Sequence, residues 1–340
     1  MNCIAILILV AESFIVLNTT VTRFLTTLAL LAAAAGSALA APSVLEGSDG
    51  WLFPGWEHPD RADAAAQNAN LDLIKEAGDE LAAKQIGLLV LVAPAKIGFY
   101  PNRLPSGVTL APEVKARYGQ LLAALKQRGI VTFDDAAVLR QVENGKNTAF
   151  YRADYHWTAQ ASEASADAAA AVLREHWQIT ADPKGGAVLA EWVNERRFGD
   201  LANNFMTPRD RKRIGRDTYT VRKETAAAGG DLLGGDPAQV LVVGNSLVQP
   251  YFGFSQKLSN ALGRNVALTW NPGNVGPWQT MLDAVESNSF KANKPKVIVW
   301  QFNEAQLEQG PSAADAWDAK SVMTAARWKA RFAAALSATR

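Results

Sequence analysis

Five short apolar runs recur along the chain, with longer stretches of helical periodicity between them. The runs are Leu88–Val92, Ile130–Phe133, Gln239–Val243, Val266–Trp270 and Lys296–Gln301. A continuous apolar run of this length is the pattern of a strand buried on both faces of a parallel sheet. Within residues 62–84, Leu71, Leu73, Ile74, Ala77 and Leu81 fall at helical spacing. Residues 113–127, 159–176, about 247–262 and about 314–337 complete the helical set. Thr158 is a candidate N-cap for the third of these helices, and the alanine-rich stretch Ala161–Val172 favours helix by propensity. Strands alternating with helices predict an α/β fold built on a doubly wound, parallel, five-stranded sheet. Ligands in such sheets sit at the carboxyl ends of the strands. Residues 184–235 break the rhythm and read as an insertion or lid. No internal repeat is visible.

Charge and cysteine usage narrow the function class. The 340 residues carry 34 Lys and Arg against 33 Asp and Glu, for a net charge of +1. That balance argues against a general nucleic-acid binder. The N-terminal region has the form of an export signal. Arg23 precedes the apolar run Leu28–Ala35, and Ala38-Leu39-Ala40 is a small-x-small cleavage site. The run is too short to span a membrane comfortably. Residues 1–40 are therefore expected to be a signal peptide and 41–340 the mature domain, an uncleaved anchor being the other reading. The first twenty residues fit a secretory signal poorly, so translation is expected to begin near Val21. N-terminal sequencing of the unprocessed precursor tests this, and a precursor starting at Met1 would rule it out. Cys3, the only cysteine, leaves with the signal, so neither disulfide nor thiol chemistry is expected in the mature protein.

Two motifs, ninety residues apart, carry the candidate chemistry. One is Asp154-Tyr155-His156-Trp157-Thr158 and the other is Gly244-Asn245-Ser246. Together they supply an acid, a base and a hydroxyl nucleophile, the parts of a serine acyl-transfer site. Ser246 follows a strand and is expected to open a helix, where backbone N–H groups could meet an oxyanion. It also reads as a plain serine N-cap after a Gly-Asn turn. The i, i+2 spacing of Asp154 and His156 can put both on one side of an extended segment. His156 could equally be a packed histidine or half of a metal site. The scarcity of His and Cys predicts no metal and no cofactor. His176 reads as a surface or cap residue, and His58 as a cleft residue without a partner. The loop Asn271–Trp278 offers Asn274 and Gly276 as oxyanion or substrate-binding groups, or is an ordinary turn. Asn303 and Glu304 end the fifth strand at the same edge. The basic cluster Arg209, Arg211, Lys212, Arg213 and Arg216 is either a solvated face or a contact surface for an acidic polysaccharide.

In this order the pieces resemble the AlgX/AlgJ-type SGNH-hydrolase-like family of polysaccharide O-acetyltransferases. The likeness runs through Gly47-Ser48-Asp49-Gly50-Trp51-Leu52-Phe53, Val92-Ala93-Pro94-Ala95-Lys96, Tyr100-Pro101 and Leu104-Pro105. It continues through Tyr151-Arg152, the Asp154–Thr158 motif, Gly199-Asp200-Leu201 and Gly244-Asn245-Ser246. The family's Asp-Thr-His-Trp-Thr stands here as Asp-Tyr-His-Trp-Thr, and its usual Gly-Asp-Ser as Gly-Asn-Ser. Ordinary SGNH hydrolases place the serine block first, so the resemblance implies a circularly permuted version of that fold. The chain after residue 305 resembles the compact AlgJ-like members rather than those with an added carbohydrate-binding domain. The resemblance implies a periplasmic enzyme with Asp154, His156 and Ser246 as its triad. It further implies a membrane-bound O-acyltransferase as acetyl donor, a polysaccharide acceptor, alginate-like or another exopolysaccharide, and other exopolysaccharide-secretion proteins as partners. A carbohydrate acetylesterase and a non-catalytic glycan-binding scaffold are the alternatives.

Overall fold

The computed structural model describes residues 43–182, 185–223 and 238–338. The expected signal peptide, residues 1–40, and part of the 184–235 insertion lie outside them. The described residues form eight strands: β1 (Val44–Glu46), β2 (Leu52–Pro54), β3 (Gly87–Ala93), β4 (Trp192–Arg197), β5 (Asp217–Arg222), β6 (Val240–Gly244), β7 (Val266–Trp270) and β8 (Val297–Asn303). The main sheet runs β3-β8-β6-β7, and every pair in it is parallel. No helix among the described residues is long and apolar enough to cross a membrane.

Alternate residues of the central strands feed two cores. Leu88, Val90, Val92, Leu241, Val243, Ile298 and Trp300 face helices Ala64–Ala83, Gly276–Glu286 and Ala325–Ser337. Leu89, Leu91, Ala93, Val240, Val242, Val297 and Val299 face helices Asp135–Val142, Ala159–Trp177 and Phe254–Leu262. This division explains why the strands read as unbroken apolar runs, and it makes the sheet doubly wound as expected.

Three expectations need correction. The second expected strand, Ile130–Phe133, reduces to a single parallel bridge of Val131 to Leu89, so the main sheet has four strands rather than five. This segment is squeezed between the Gly129 turn, at φ 71°, and Asp134, whose side chain caps the next helix, so the chain turns away. The helix expected from 247 starts only at Phe254, after two 3₁₀ turns. Pro250 forces Gln249 out of the helical region, to ψ 151°. The last helix begins at Ala325, capped by Thr324. Before it, the Asp318 carboxylate takes up the N–H groups of Lys320 and Ser321 and the Ser321 hydroxyl, a side-chain competition that favours turns.

The described part of the insertion folds as an antiparallel hairpin of β4 and β5. Two short helices, Asp200–Phe205 and Pro208–Ile214, fill its connection. β5 grips the segment that carries the acid–base motif. Asp217 accepts the Arg152 side chain at 3.0 Å and the Ala153 N–H at 2.8 Å. Gly199 packs so tightly that a Cβ there would lie 2.2 Å from the Ala153 carbonyl oxygen.

One buried carboxyl makes stability depend on pH. Asp135 is fully buried and its oxygens reach no hydrogen bond of normal geometry among the described residues. Burial pushes its pKa up to about 7, against a smaller opposing pull from Ser165. The folded state therefore holds a proton that the unfolded chain releases. This contribution to stability is full below the unfolded pKa and is lost as pH rises towards 7. Between about pH 5 and pH 8 the thermal midpoint should fall by roughly 5 °C on this account. Asp135→Asn should remove that part of the fall in calorimetric scans, and an unchanged pH slope would refute the assignment.

Candidate active site

β6 and β8 lie side by side, and their carboxyl ends build the corner that holds Ser246, the candidate nucleophile. A Cβ on Gly244 would meet Gln301 Oε1 at 2.7 Å and Val248 Cγ2 at 2.8 Å, so only glycine fits there. Gln301 Oε1 accepts the Asn245 N–H at 3.0 Å. Asn245 Oδ1 accepts the Leu247 N–H at 2.8 Å. Its Nδ2 donates to Asn303 Oδ1 at 2.8 Å and to Gln306 Oε1 at 3.0 Å. An aspartate could not donate to those two acceptors, so the neutral amide is matched to its surroundings. Ser246 follows, only 8% exposed. It opens a 3₁₀ turn, Ser246–Val248, rather than an α-helix. Asn245 already takes up the N–H groups of Leu247 and Val248.

Asp154, His156 and Ser246 form one hydrogen-bonded line. Asp154 Oδ1 lies 2.7 Å from His156 Nδ1, and His156 Nε2 lies 2.9 Å from Ser246 Oγ. The acid and base share a side through a local turn rather than an extended strand. Asp154 Oδ1 also accepts the His156 backbone N–H at 3.1 Å, the i to i+2 bond that aspartates use to build turns. The Tyr219 hydroxyl donates to Asp154 Oδ2 at 2.6 Å. Burial opposes ionisation of Asp154, but the His156 charge and the hydrogen bonds from His156 and Tyr219 outweigh it. They hold the carboxyl well below the usual carboxylate range. Trp157 Nε1 donates to the Leu247 carbonyl at 2.8 Å and so ties the histidine segment to the serine segment.

Four further side chains, to which the motifs gave no role, complete the site. The Tyr155 hydroxyl hydrogen-bonds Ser246 Oγ, and its ring lies 4.0 Å from the imidazole, centre to centre. Burial pushes its pKa up, so the phenol stays protonated. Tyr219, from the insertion, anchors the acid. Asp200 Oδ2 lies 3.6 Å from His156 Nδ1; burial and then the Asp154 charge push its carboxyl up. Lys96 is fully buried and its ammonium reaches four carbonyls, those of Leu52, Tyr151, Arg152 and Asp154, at 2.6–2.9 Å. Burial pushes its pKa down to about 7, while the charges of Asp154, Glu57 and Asp217 favour the ammonium. One signal for Tyr155 was in the sequence: it departs from the family's threonine beside the histidine. Lys96 ends the Val92–Lys96 stretch of the family likeness, which gave it no role, and Tyr219 lies in the insertion with no such signal.

The remaining candidates lie off this hydrogen-bonded line. Asn274 is exposed, and its carbonyl accepts the Asp318 N–H at 2.8 Å. Gly276, at φ 77°, packs on Trp317. Their loop does border the site, since a Cβ on Gly273 would lie 3.8 Å from the Tyr155 hydroxyl. Glu304 is a buried partner of Arg117 at 2.7 Å, so it serves the core rather than a cleft. His58 Nε2 meets Arg61 at 3.2 Å, and the His176 ring lies 5.7 Å from that of Trp177 at a tilt of 47°. In the basic cluster, Arg213 pairs with Glu46 and Asp210, whereas Arg211 and Arg216 lie over Phe198.

Asp154, His156 and Asp200 offer three ligand atoms within 4.8 Å of one another, the one such group among the described residues. Both imidazole nitrogens are already engaged, by Asp154 and by Ser246. The arrangement therefore fits proton transfer between a hydroxyl and a carboxylate-held imidazole better than metal ligation.

Residues 44–304 match the family model of the SGNH hydrolase-like domain, acetyltransferase AlgX. A probable alginate O-acetylase AlgJ of Pseudomonas putida is 30% identical over 279 residues, 78% of this chain and 70% of that protein. Its Pseudomonas fluorescens counterpart is 29% identical over 290 residues, 81% of this chain and 71% of that one. The solved O-acetyltransferase domain of Pseudomonas putida AlgJ superimposes with a TM-score of 0.70 at 26% identity, covering 86% of this chain and 99% of that domain. The chain belongs to the AlgX-type family of SGNH hydrolase-like acetyltransferase domains.

Proposed function

We propose that this domain is a periplasmic O-acetyltransferase that moves an acetyl group, by way of an acetyl-Ser246 intermediate, onto hydroxyls of an alginate-like secreted polysaccharide. The observation that carries the reading is the line Asp154–His156–Ser246, assembled from two distant motifs at the carboxyl end of the sheet. His156 Nε2 takes the proton of Ser246 as Oγ attacks the donor ester carbonyl. The imidazolium is stabilised by Asp154 and then protonates the departing alcohol. A sugar hydroxyl next gives its proton to His156 and attacks the acetyl-serine. Ser246 leaves and regains its proton. The oxyanion is met by the Ser246 backbone N–H and by a second donor, either the Tyr155 hydroxyl or the Asn274/Gly276 loop. The donor ester comes from a membrane-bound O-acyltransferase, since acetyl-CoA is cytoplasmic, and the domain works beside other exopolysaccharide-secretion proteins.

The test supplies an acetyl donor with mannuronate and cellulose oligosaccharides and follows added acetyl groups by mass spectrometry. Acetylated saccharide supports transfer. Free acetate alone with every acceptor would make the domain an acetylesterase, and neither product would leave a glycan-binding scaffold.

Tyr155 is expected to act on the chemical step. Tyr155→Phe keeps the ring and removes the donor to Ser246, so kcat for a small acetyl ester should fall about tenfold or more. KM should move by less than about threefold, because little ground-state binding is lost. A kcat within twofold of the parent would remove Tyr155 from the reaction.

A further inference from the structure

Two aromatic rings at the mouth of the site take no part in the chemistry above. Trp56 is 42% exposed and Phe205 is 48% exposed. Their ring centres lie 5.5 Å apart at a tilt of 53°. Trp56 also meets Tyr155 edge-on at 6.1 Å, and Tyr155 is hydrogen-bonded to Ser246. The exposed pair is therefore continuous with the candidate nucleophile.

Neither ring is loosely held. Glu57, next to Trp56, is buried and accepts the N–H groups of Lys96 at 3.1 Å and Ile97 at 2.9 Å. Phe205 ends a helix whose Leu201 and Ala202 are fully buried beside Leu52 and Ala153. The fold pins the neighbours inward and leaves these two rings turned out. Large apolar groups grouped this way mark a binding surface. Polar groups share the short Asp200–Phe205 helix: the amides of Asn203 and Asn204 are exposed, and Asp200 is 40% exposed. Ring faces next to amides and a carboxylate suit a ligand with apolar C–H faces and a hydroxyl-rich edge. A pyranose has both, whereas a lipid tail or an apolar peptide has no hydroxyl edge to meet these amides, which otherwise bond only each other and, through Asn203, Arg211 at 2.7 Å among the described residues.

We propose that Trp56 and Phe205 form an acceptor subsite, a stacking platform that seats a pyranose unit of the polysaccharide beside Ser246. The assignment rests on the transferase reading for the identity of its occupant. Seating one sugar ring on the platform presents a neighbouring hydroxyl to His156 and the acetyl-serine.

The test uses Ser246→Ala protein, which binds without turnover, titrated calorimetrically with a mannuronate hexasaccharide and with cellohexaose. At least one should bind. Adding Trp56→Ala or Phe205→Ala should each weaken that binding about tenfold, the loss of one stacked ring. Trp56→Phe should recover most of the affinity. Trp192→Ala is the control: this ring is 38% exposed and lies under Arg222, outside the cluster, and its loss should leave affinity unchanged. Equal affinities in parent, Trp56→Ala and Phe205→Ala, or no binding of either saccharide, would overturn the subsite. The two readings fail separately. Ring-dependent binding with acetyl passing only to water keeps the subsite and sinks the transferase. Acetyl transfer to saccharide with affinity indifferent to both rings does the reverse.

Discussion

Ser246→Ala should abolish acetyl transfer and p-nitrophenyl acetate turnover together, each by about 10³-fold or more. The size follows from the assigned role. Without Oγ no acyl-enzyme forms, and what remains is the binding and oxyanion contribution to direct attack by water. Residues that act as one unit are not additive. His156→Ala should therefore cost a similar factor, and the Ser246→Ala, His156→Ala pair should be little worse than either alone. The serine is small and its main chain is fixed by the Asn245 network, so the thermal midpoint should hardly move. Turnover within tenfold of the parent in well-folded Ser246→Ala protein would remove it as nucleophile. A double variant far worse than both singles would mean that the two residues act in separate steps.

The second large effect is on stability. Lys96→Met should lower stability by about 3–5 kcal/mol, the usual cost of breaking a buried charged network, and the thermal midpoint by on the order of 10 °C. Methionine has a similar volume but offers nothing to the carbonyls of Leu52, Tyr151, Arg152 and Asp154. Buried acceptors without donors are costly. Two of those carbonyls flank the acid–base turn and a third belongs to Asp154 itself. Protein that still folds should accordingly lose kcat while KM for a small ester changes little. A midpoint within about two degrees of the parent, with full activity, would mean that the ammonium does not organise the turn.

The sequence carried the fold wherever burial was two-sided. β3, β6 and β8 were legible because both faces of the sheet are covered there, so nearly every position is apolar; β7, half-buried along its length, was legible from its short Val-Ala-Leu-Thr-Trp run. Ile130–Phe133 has the same composition but too few residues between a glycine turn and a helix cap, and pattern alone cannot see that limit. The late start of the helix after Ser246 was legible in principle from Pro250. The candidate site divides in the same way. Asp154, His156 and Ser246 were found by chemistry and spacing, yet the reason they meet is different from the one the spacing suggested. An aspartate turn and the Trp157 to Leu247 hydrogen bond bring them together. Tyr219 was hidden in an insertion whose rhythm gave no contact information. Lys96 acts through main-chain carbonyls, which leave no trace in side-chain pattern.

The most direct measurement is to trap and chase the intermediate. The domain is mixed with a slow acetyl ester, quenched in acid, digested and read by mass spectrometry. One added acetyl group is expected on the peptide containing Ser246, absent in Ser246→Ala protein. Addition of an acceptor oligosaccharide before the quench should discharge it, with the acetyl group recovered on a sugar hydroxyl. An acetyl group on another residue, no adduct at all, or discharge to acetate alone whatever saccharide is offered would contradict acetyl transfer through Ser246.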